Sequence, residues 1–131
     1  MTDLHPNMTT YLHAIDAFNR DDLVAVRDHV RADVVYRIPG RSPIGGEFRG
    51  IGGFAAILRR LRDESGGTIA LEPLTVLADD QNLIARCRVT ADRPGKRLDT
   101  ENCYAFRFVD GKLADGTVFV SDPQHVDEFW S

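Results

Sequence analysis

No stretch of this sequence approaches the roughly 18 consecutive apolar residues that a membrane-spanning helix requires, so no membrane partner is expected. Met1 to Asn7 holds Asp3 and has no apolar core, and so does not read as a secretory signal. Cysteine is scarce. Cys87 and Cys103 stand far apart with no CxxC spacing, and the expectation is reduced thiols in a cytoplasmic protein. Basic residues never gather into a block, and net charge is −4. Phosphate binding needs clustered Lys and Arg, so no nucleic-acid partner is expected. Arg59, Arg60 and Arg62 come nearest to a cluster, and they read as the solvated face of a helix. His5, His13, His29 and His125 are scattered without an HxH or HExxH pattern, so no metal site is expected. Gly50-Ile51-Gly52-Gly53 lacks the Lys-Ser/Thr of a phosphate loop, and neither a dinucleotide fingerprint nor a GxSxG elbow occurs. No cofactor is expected.

What is present is a balanced globular composition, 43% hydrophobic and 27% charged, over 131 residues. That length makes residues 1–131 one domain, large enough to hold a core without a disulfide or metal. Met8, Tyr11, Leu12, Ile15 and Phe18 recur at helical spacing, predicting a helix capped by Thr9 or Thr10 and running to about Arg20. Asp21 or Asp22 caps a second short helix to about Val30. Val34 to Ile38 is a short β-rich run ending at Pro39-Gly40. A Gly- and Pro-rich loop follows, with a brief strand at Glu47-Phe48-Arg49. Phe54, Ile57, Leu58 and Leu61 then mark a third helix, about Gly52 to Asp63, stopped by Ser65-Gly66-Gly67.

The second half alternates with a period of two. Thr68 to Ala78 is a strand bent or bulged at Pro73. Leu83, Ala85, Cys87, Val89 and Ala91 share one face of the next strand. After the turn at Arg93-Pro94-Gly95-Lys96, Leu98, Thr100, Asn102, Tyr104, Phe106 and Phe108 share a face. Asp110-Gly111 is a hairpin signal. The last strand puts Ala114, Gly116, Val118, Val120 and Asp122 on one side, and Pro123 ends it. A short tail carries Phe129 and Trp130 into a helical turn. Helices first and strands afterwards argue an α+β fold, with three helices from the N-terminal half packed on one face of a curved antiparallel sheet.

The order of these elements resembles the nuclear-transport-factor-2-like superfamily, the cone-shaped, cystatin-like roll, in its SnoaL-like and ketosteroid-isomerase-like branch. The resemblance rests on Tyr11-Leu12 and Ala17-Phe18-Asn19-Arg20-Asp21-Asp22-Leu23, on Pro39-Gly40 and Phe48-Arg49-Gly50, and on Val76-Leu77-Ala78-Asp79-Asp80. Phe106 through Lys112 and the ending Asp122 to Trp130 complete it. It implies a cone enclosing an apolar pocket. The base and helical tyrosine of ketosteroid isomerase fall on Ile38 and Ala14, and its second oxyanion donor falls on Tyr104, so that enzyme's mechanism is not expected. The Asp-Arg-Asp arrangement of limonene epoxide hydrolase has no counterpart either. The acidic residue that SnoaL-like cyclases use late in the fold corresponds to Asp122. Glu and Trp, frequent on the last strand of relatives, are replaced by Asp115 and Thr117.

Asp122 therefore stands between two readings, a general acid/base at the pocket mouth and an Asp-Pro turn at a strand end. Tyr104 and Asn102 share the apolar face, where a hydroxyl can polarise a carbonyl oxygen, or where both simply complete a core. The pocket wall is expected from Tyr11, Ala14, Phe18, Tyr36, Ile38, Phe54 and Leu58 in the first half. Cys87, Val89, Asn102, Phe106, Val118 and Val120 supply it in the second. His13 and His125 read as surface histidines, and Cys87 as a small buried hydrophobe. The functional expectation is cofactor-independent acid/base catalysis, of cyclase, isomerase or hydrolase type, on a small hydrophobic metabolite. A non-catalytic binding module for a hydrophobic ligand, or a dimerising interaction domain, is the alternative. The resemblance also implies a homodimer through the outer sheet face, which carries Cys103, Ala105, Thr117 and Phe119.

Overall fold

Helix α1 (Pro6–Asn19) and the short α2 (Leu23–Arg27) lead into strand β1 (Val30–Ile38) in a computed structural model that describes residues 4–131. The reading of Met1–Asn7 as no leader falls in part on residues 1–3, outside the described residues. Strand β2 (Gly46–Arg49) folds back on β1, helix α3 (Gly50–Glu64) crosses over, and a meander of β3 (Ala70–Ala78), β4 (Asn82–Arg93), β5 (Lys96–Val109) and β6 (Lys112–Val120) follows. Helix α4 (Pro123–Trp130) closes the chain. The six strands form one sheet in the order β2-β1-β6-β5-β4-β3. The expected antiparallel pairing holds everywhere except between β1 and β6, which run parallel. The meander begins at the far edge, and after three reversals it meets β1 travelling in the same direction.

Local chemistry accounts for most element boundaries. Pro6 sits in the first turn of α1, where a missing N–H costs nothing. The cap is His5, whose Nδ1 accepts from the Asn7 N–H, so the helix begins earlier than the Thr9 or Thr10 cap expected. Asp22 caps α2 by accepting from the Ala25 N–H, as expected, but α2 ends at Arg27. Val30, expected at its end, instead opens β1, which starts four residues before Val34. The bulge at Pro73 is present as a register shift between Pro73 and Thr75. The tail forms a two-turn helix with Val126, Phe129 and Trp130 buried.

Alternation on β4 and β5 decides where the core sits. Leu83, Ala85, Cys87, Val89 and Ala91 are buried, and so are Leu98, Thr100, Tyr104, Phe106 and Phe108. All of them face the concave side that α1 and α3 cover. On β6, Leu113 and Ala114 are both buried because the β5–β6 register shifts between Arg107 and Phe108. Residues between those inward positions carry charge ladders on the convex face, among them Arg86 with Glu101 and Arg88 with Asp99.

Candidate functional site

The concave side does not fill completely. A cavity of about 120 Å³ remains between the helices and the sheet. Its wall includes all three tyrosines of the chain, Tyr11, Tyr36 and Tyr104, and its single tryptophan, Trp130. The three tyrosines reach it from α1, β1 and β5 and surround the Phe106 ring, with ring centroids 5.5, 6.3 and 5.8 Å from it. Phe54 of α3 meets Tyr36 edge-on at 5.3 Å. This packing depends on Gly116, which pairs with both Phe106 and Tyr36 across the sheet. A Cβ there would stand 2.8 Å from the Phe106 ring and 3.0 Å from Tyr36 Cδ1.

The polar atoms of this wall are few, and several lack partners. Tyr11 is the exception, since its hydroxyl lies 3.3 Å from Cys87 Sγ. Asn102 Nδ2 donates to Tyr104 Oη at 3.4 Å, which leaves the Tyr104 proton free to point elsewhere. Asn102 Oδ1 is buried with no hydrogen-bond partner. Turning the amide over would satisfy Oδ1 and orphan the NH2 group instead, so one half of this amide lacks a protein partner in either orientation. The Tyr36 hydroxyl has no hydrogen bond to any described residue either. A buried, unmet acceptor costs about 1–3 kcal/mol. Asn102 Oδ1 lies beside two hydroxyls in a mostly apolar hollow.

Burial also fixes the protonation of these groups. Loss of solvent pushes the Tyr36 hydroxyl well above its ordinary pKa, and the nearby Tyr104 and Cys87 act in the same direction. Burial raises Tyr104 too, only partly opposed by its hydrogen bond from Asn102. Tyr11 is raised first by burial and then by Cys87, and the Cys87 thiol is itself raised by burial. All four groups are neutral near pH 7. Neutral tyrosines can donate hydrogen bonds at this pH and cannot serve as bases.

Most of the expected wall is where the sequence puts it. Tyr11, Ala14, Phe18, Tyr36, Ile38, Phe54 and Leu58 line the cavity, as do Val89, Asn102, Tyr104, Phe106, Val118 and Val120. Two candidates do not. Cys87 is fully buried but does not line the cavity, and its thiol meets the Tyr11 hydroxyl. Asp122 leaves the strand altogether. β6 ends at Val120, and Asp122 is an exposed N-cap whose carboxylate accepts from the His125 N–H at 3.2 Å. Its role as an acid/base in an apolar pocket is withdrawn, because a solvated capping carboxylate has neither the surroundings nor the reach for it. His125 Nε2 is likewise engaged, accepting from the Asp99 N–H. Among the described residues no Asp or Glu lines the cavity.

Several wall residues escaped the sequence reading, and His29 and Trp130 matter most. His29, in the turn between α2 and β1, lines the cavity along with Thr10 of α1. Its neighbour Val30, the first residue of β1, is buried, a signal that the turn dips toward the core. Trp130 was placed only in a tail, yet α4 carries it and Val126 onto the cavity wall. α4 is held by Arg93 and Lys96, which donate to the carbonyls of Phe129, Glu128 and Ser131. No group of three or more metal-ligating side chains occurs among the described residues. No helix of the described chain is long and apolar enough to cross a membrane.

Known proteins are similar to this chain in sequence and fold. An uncharacterised protein of Mycobacterium tuberculosis is 30% identical over 116 residues, 88% of each chain. Bal32a, from a soil-derived mobile gene cassette, superposes with a TM-score of 0.93 at 35% identity over 96% of this chain and 97% of its own. A putative SnoaL-like polyketide cyclase from Jannaschia sp. superposes with a TM-score of 0.81 over all of this chain and 98% of its own. Its 16% identity speaks for the fold alone. Residues 11–116 match the SnoaL-like domain, a span that begins at Tyr11 and ends at Gly116, taking in all three cavity tyrosines and Asn102, and the chain belongs to that family.

Proposed function

We propose that this chain binds a small, mostly apolar molecule bearing a carbonyl or hydroxyl oxygen, and seats that oxygen among Tyr104, Asn102 and Tyr36. The observation that carries the reading is the unmet Asn102 Oδ1 beside the free Tyr104 and Tyr36 protons, inside a wall made mainly of aliphatic and aromatic side chains. A guest hydroxyl would donate to the amide oxygen and accept from a tyrosine. A guest carbonyl would accept from both hydroxyls.

Conversion of the guest, of the cofactor-independent cyclase or isomerase type, is a second reading. Neutral, buried phenols favour it, because they stabilise an enolate oxygen more than the parent carbonyl. With Asp122 outside the cavity, any base comes from the substrate itself, from water or from a wall group other than a carboxylate. The test compares binding of 2-naphthol and naphthalene by fluorescence. 2-Naphthol is expected to bind wild type about tenfold tighter, and the preference is expected to vanish in Tyr104→Phe combined with Asn102→Leu. Equal binding of both probes to wild type would sink the reading. Native mass spectrometry of freshly purified protein then separates binding from conversion, through whether a co-purifying molecule is released unaltered.

We also propose that two copies pair through the convex face. Leu77 and Ile84 lie opposite each other there, and Phe119 is exposed two strands away. A monomer mass by light scattering at working concentration would rule this out.

A further inference from the structure

The cavity has a second polar end, and the proposed oxygen site does not use it. Leu113, which pairs with Phe108, donates its N–H to the His29 carbonyl at 3.0 Å, so His29 sits level with Phe108 along β5. Phe108 and Tyr104 are four residues apart, about 13 Å at strand rise. His29 is a half-buried residue of the cavity wall, and neither of its ring nitrogens bonds to a described residue. The exposed His13 ring on α1 has its centroid 6.4 Å from that of His29. Thr10, one turn before His13, lines the cavity as well. Around this end the wall is apolar, with Val26, Val30, Phe108 and Leu113.

We propose that His29, backed by His13, is a binding group for an acidic oxygen at one end of an elongated ligand whose other oxygen sits at Tyr104 and Asn102. This rests on the binding function proposed above and names its ligand class: a flat aromatic or polycyclic acid with a second oxygen about 10–13 Å from its carboxylate or acidic enol. The chemistry follows from the donors available. An imidazole always carries at least one N–H, and two imidazoles within reach of one another can both donate to the paired oxygens of a carboxylate. The apolar wall between the two ends suits rings and offers nothing to a polar chain. A neutral ester of the same length would accept from the His29 imidazole more weakly than a carboxylate does.

The test uses 6-hydroxyanthracene-2-carboxylate, whose two oxygens span the proposed separation, and its methyl ester, which has the same rings and the same hydroxyl but no charge at the far end. Both are titrated by fluorescence into wild type, His29→Leu, and Tyr104→Phe combined with Asn102→Leu. Wild type is expected to prefer the acid by about tenfold or more. His29→Leu is expected to erase that preference while leaving ester affinity within about twofold, since leucine fills similar volume and the imidazole makes no hydrogen bond to the protein. The Tyr104/Asn102 variant is expected to weaken acid and ester alike. A His29→Leu protein that keeps the acid preference, with a melting curve like wild type, overturns the assignment of this end. Loss of acid and ester affinity together in His29→Leu also overturns it, because that pattern marks a wall residue and not an acid-binding one. Failure of both probes to bind wild type overturns the underlying binding function as well, and is thereby distinguishable from failure at His29 alone.

Discussion

The two faces of β4 and β5 are built from the same strands but do different work. Inward, Leu83, Ala85, Cys87 and Leu98 are buried to 2% exposure or less, and the polar atoms among them are neutral and poorly paired. Outward, Arg86 meets Glu101 and Arg88 meets Asp99 in exposed pairs, at 3.2 and 2.7 Å. Apolar burial stabilises the fold by about 25 cal/mol per Å². Exposed ion pairs contribute little, because water and salt screen them. The well-formed contacts therefore lie on the face that matters least to stability. The unsatisfied ones lie on the face that matters most, which is expected where an interior is arranged for a guest and not only for folding.

Substitutions sharpen this comparison in order of size. Leu83→Ala, at a fully buried position, is expected to cost about 2–5 kcal/mol in denaturant unfolding. A loss below 1 kcal/mol would mean that the concave face is not a packed core. Gly116→Ala follows, at about 1–3 kcal/mol, because the added methyl drives into the Phe106 and Tyr36 rings. It is also expected to shrink the hollow and reduce 2-naphthol binding.

Tyr36→Phe is expected to leave stability within about 1 kcal/mol of wild type, since its hydroxyl has no protein partner to lose. Its effect belongs to ligand affinity, and a large loss of stability would reveal a structural hydrogen bond instead. The smallest effect is expected from Arg88→Ala, and it depends on pH. Arg88 holds the Asp99 carboxyl below its ordinary value. The resulting stabilisation is present above the unfolded value, about pH 3.9, and fades as pH falls through the lower folded value. Wild type and variant are expected to differ slightly at neutral pH and to converge in acid and in high salt. A gap that widens in acid would reverse the assigned sign.

The sequence made the sheet interior readable because a period of two leaves little choice of face. Once Leu83, Cys87 and Val89 are set inward, the partners Phe106, Asn102 and Thr100 follow across the ladder. Tyr36, Asn102 and Tyr104 were found in this way. Asp122 misled because extending the β6 alternation past Val120 continues a strand that has already ended, and a capping carboxylate looks the same in sequence as one at a pocket mouth. Cys87 has the inward register, but its thiol meets the Tyr11 hydroxyl, a contact between residues 76 positions apart. His29 was hidden by its place in a turn, where no periodicity reports direction. The His5 cap was missed because imidazole is not among the side chains that ordinarily start helices.

The central claim is that a guest oxygen completes the hydrogen bonding of Asn102 and Tyr104. Its most direct test is a crystal structure of the protein grown with 2-naphthol. The account predicts the rings inside the cavity against Phe106, with the naphthol oxygen within about 3.2 Å of both Tyr104 Oη and the Asn102 side-chain amide. A naphthol bound on the convex face, or one inside the cavity with its oxygen turned away from that pair, would contradict it.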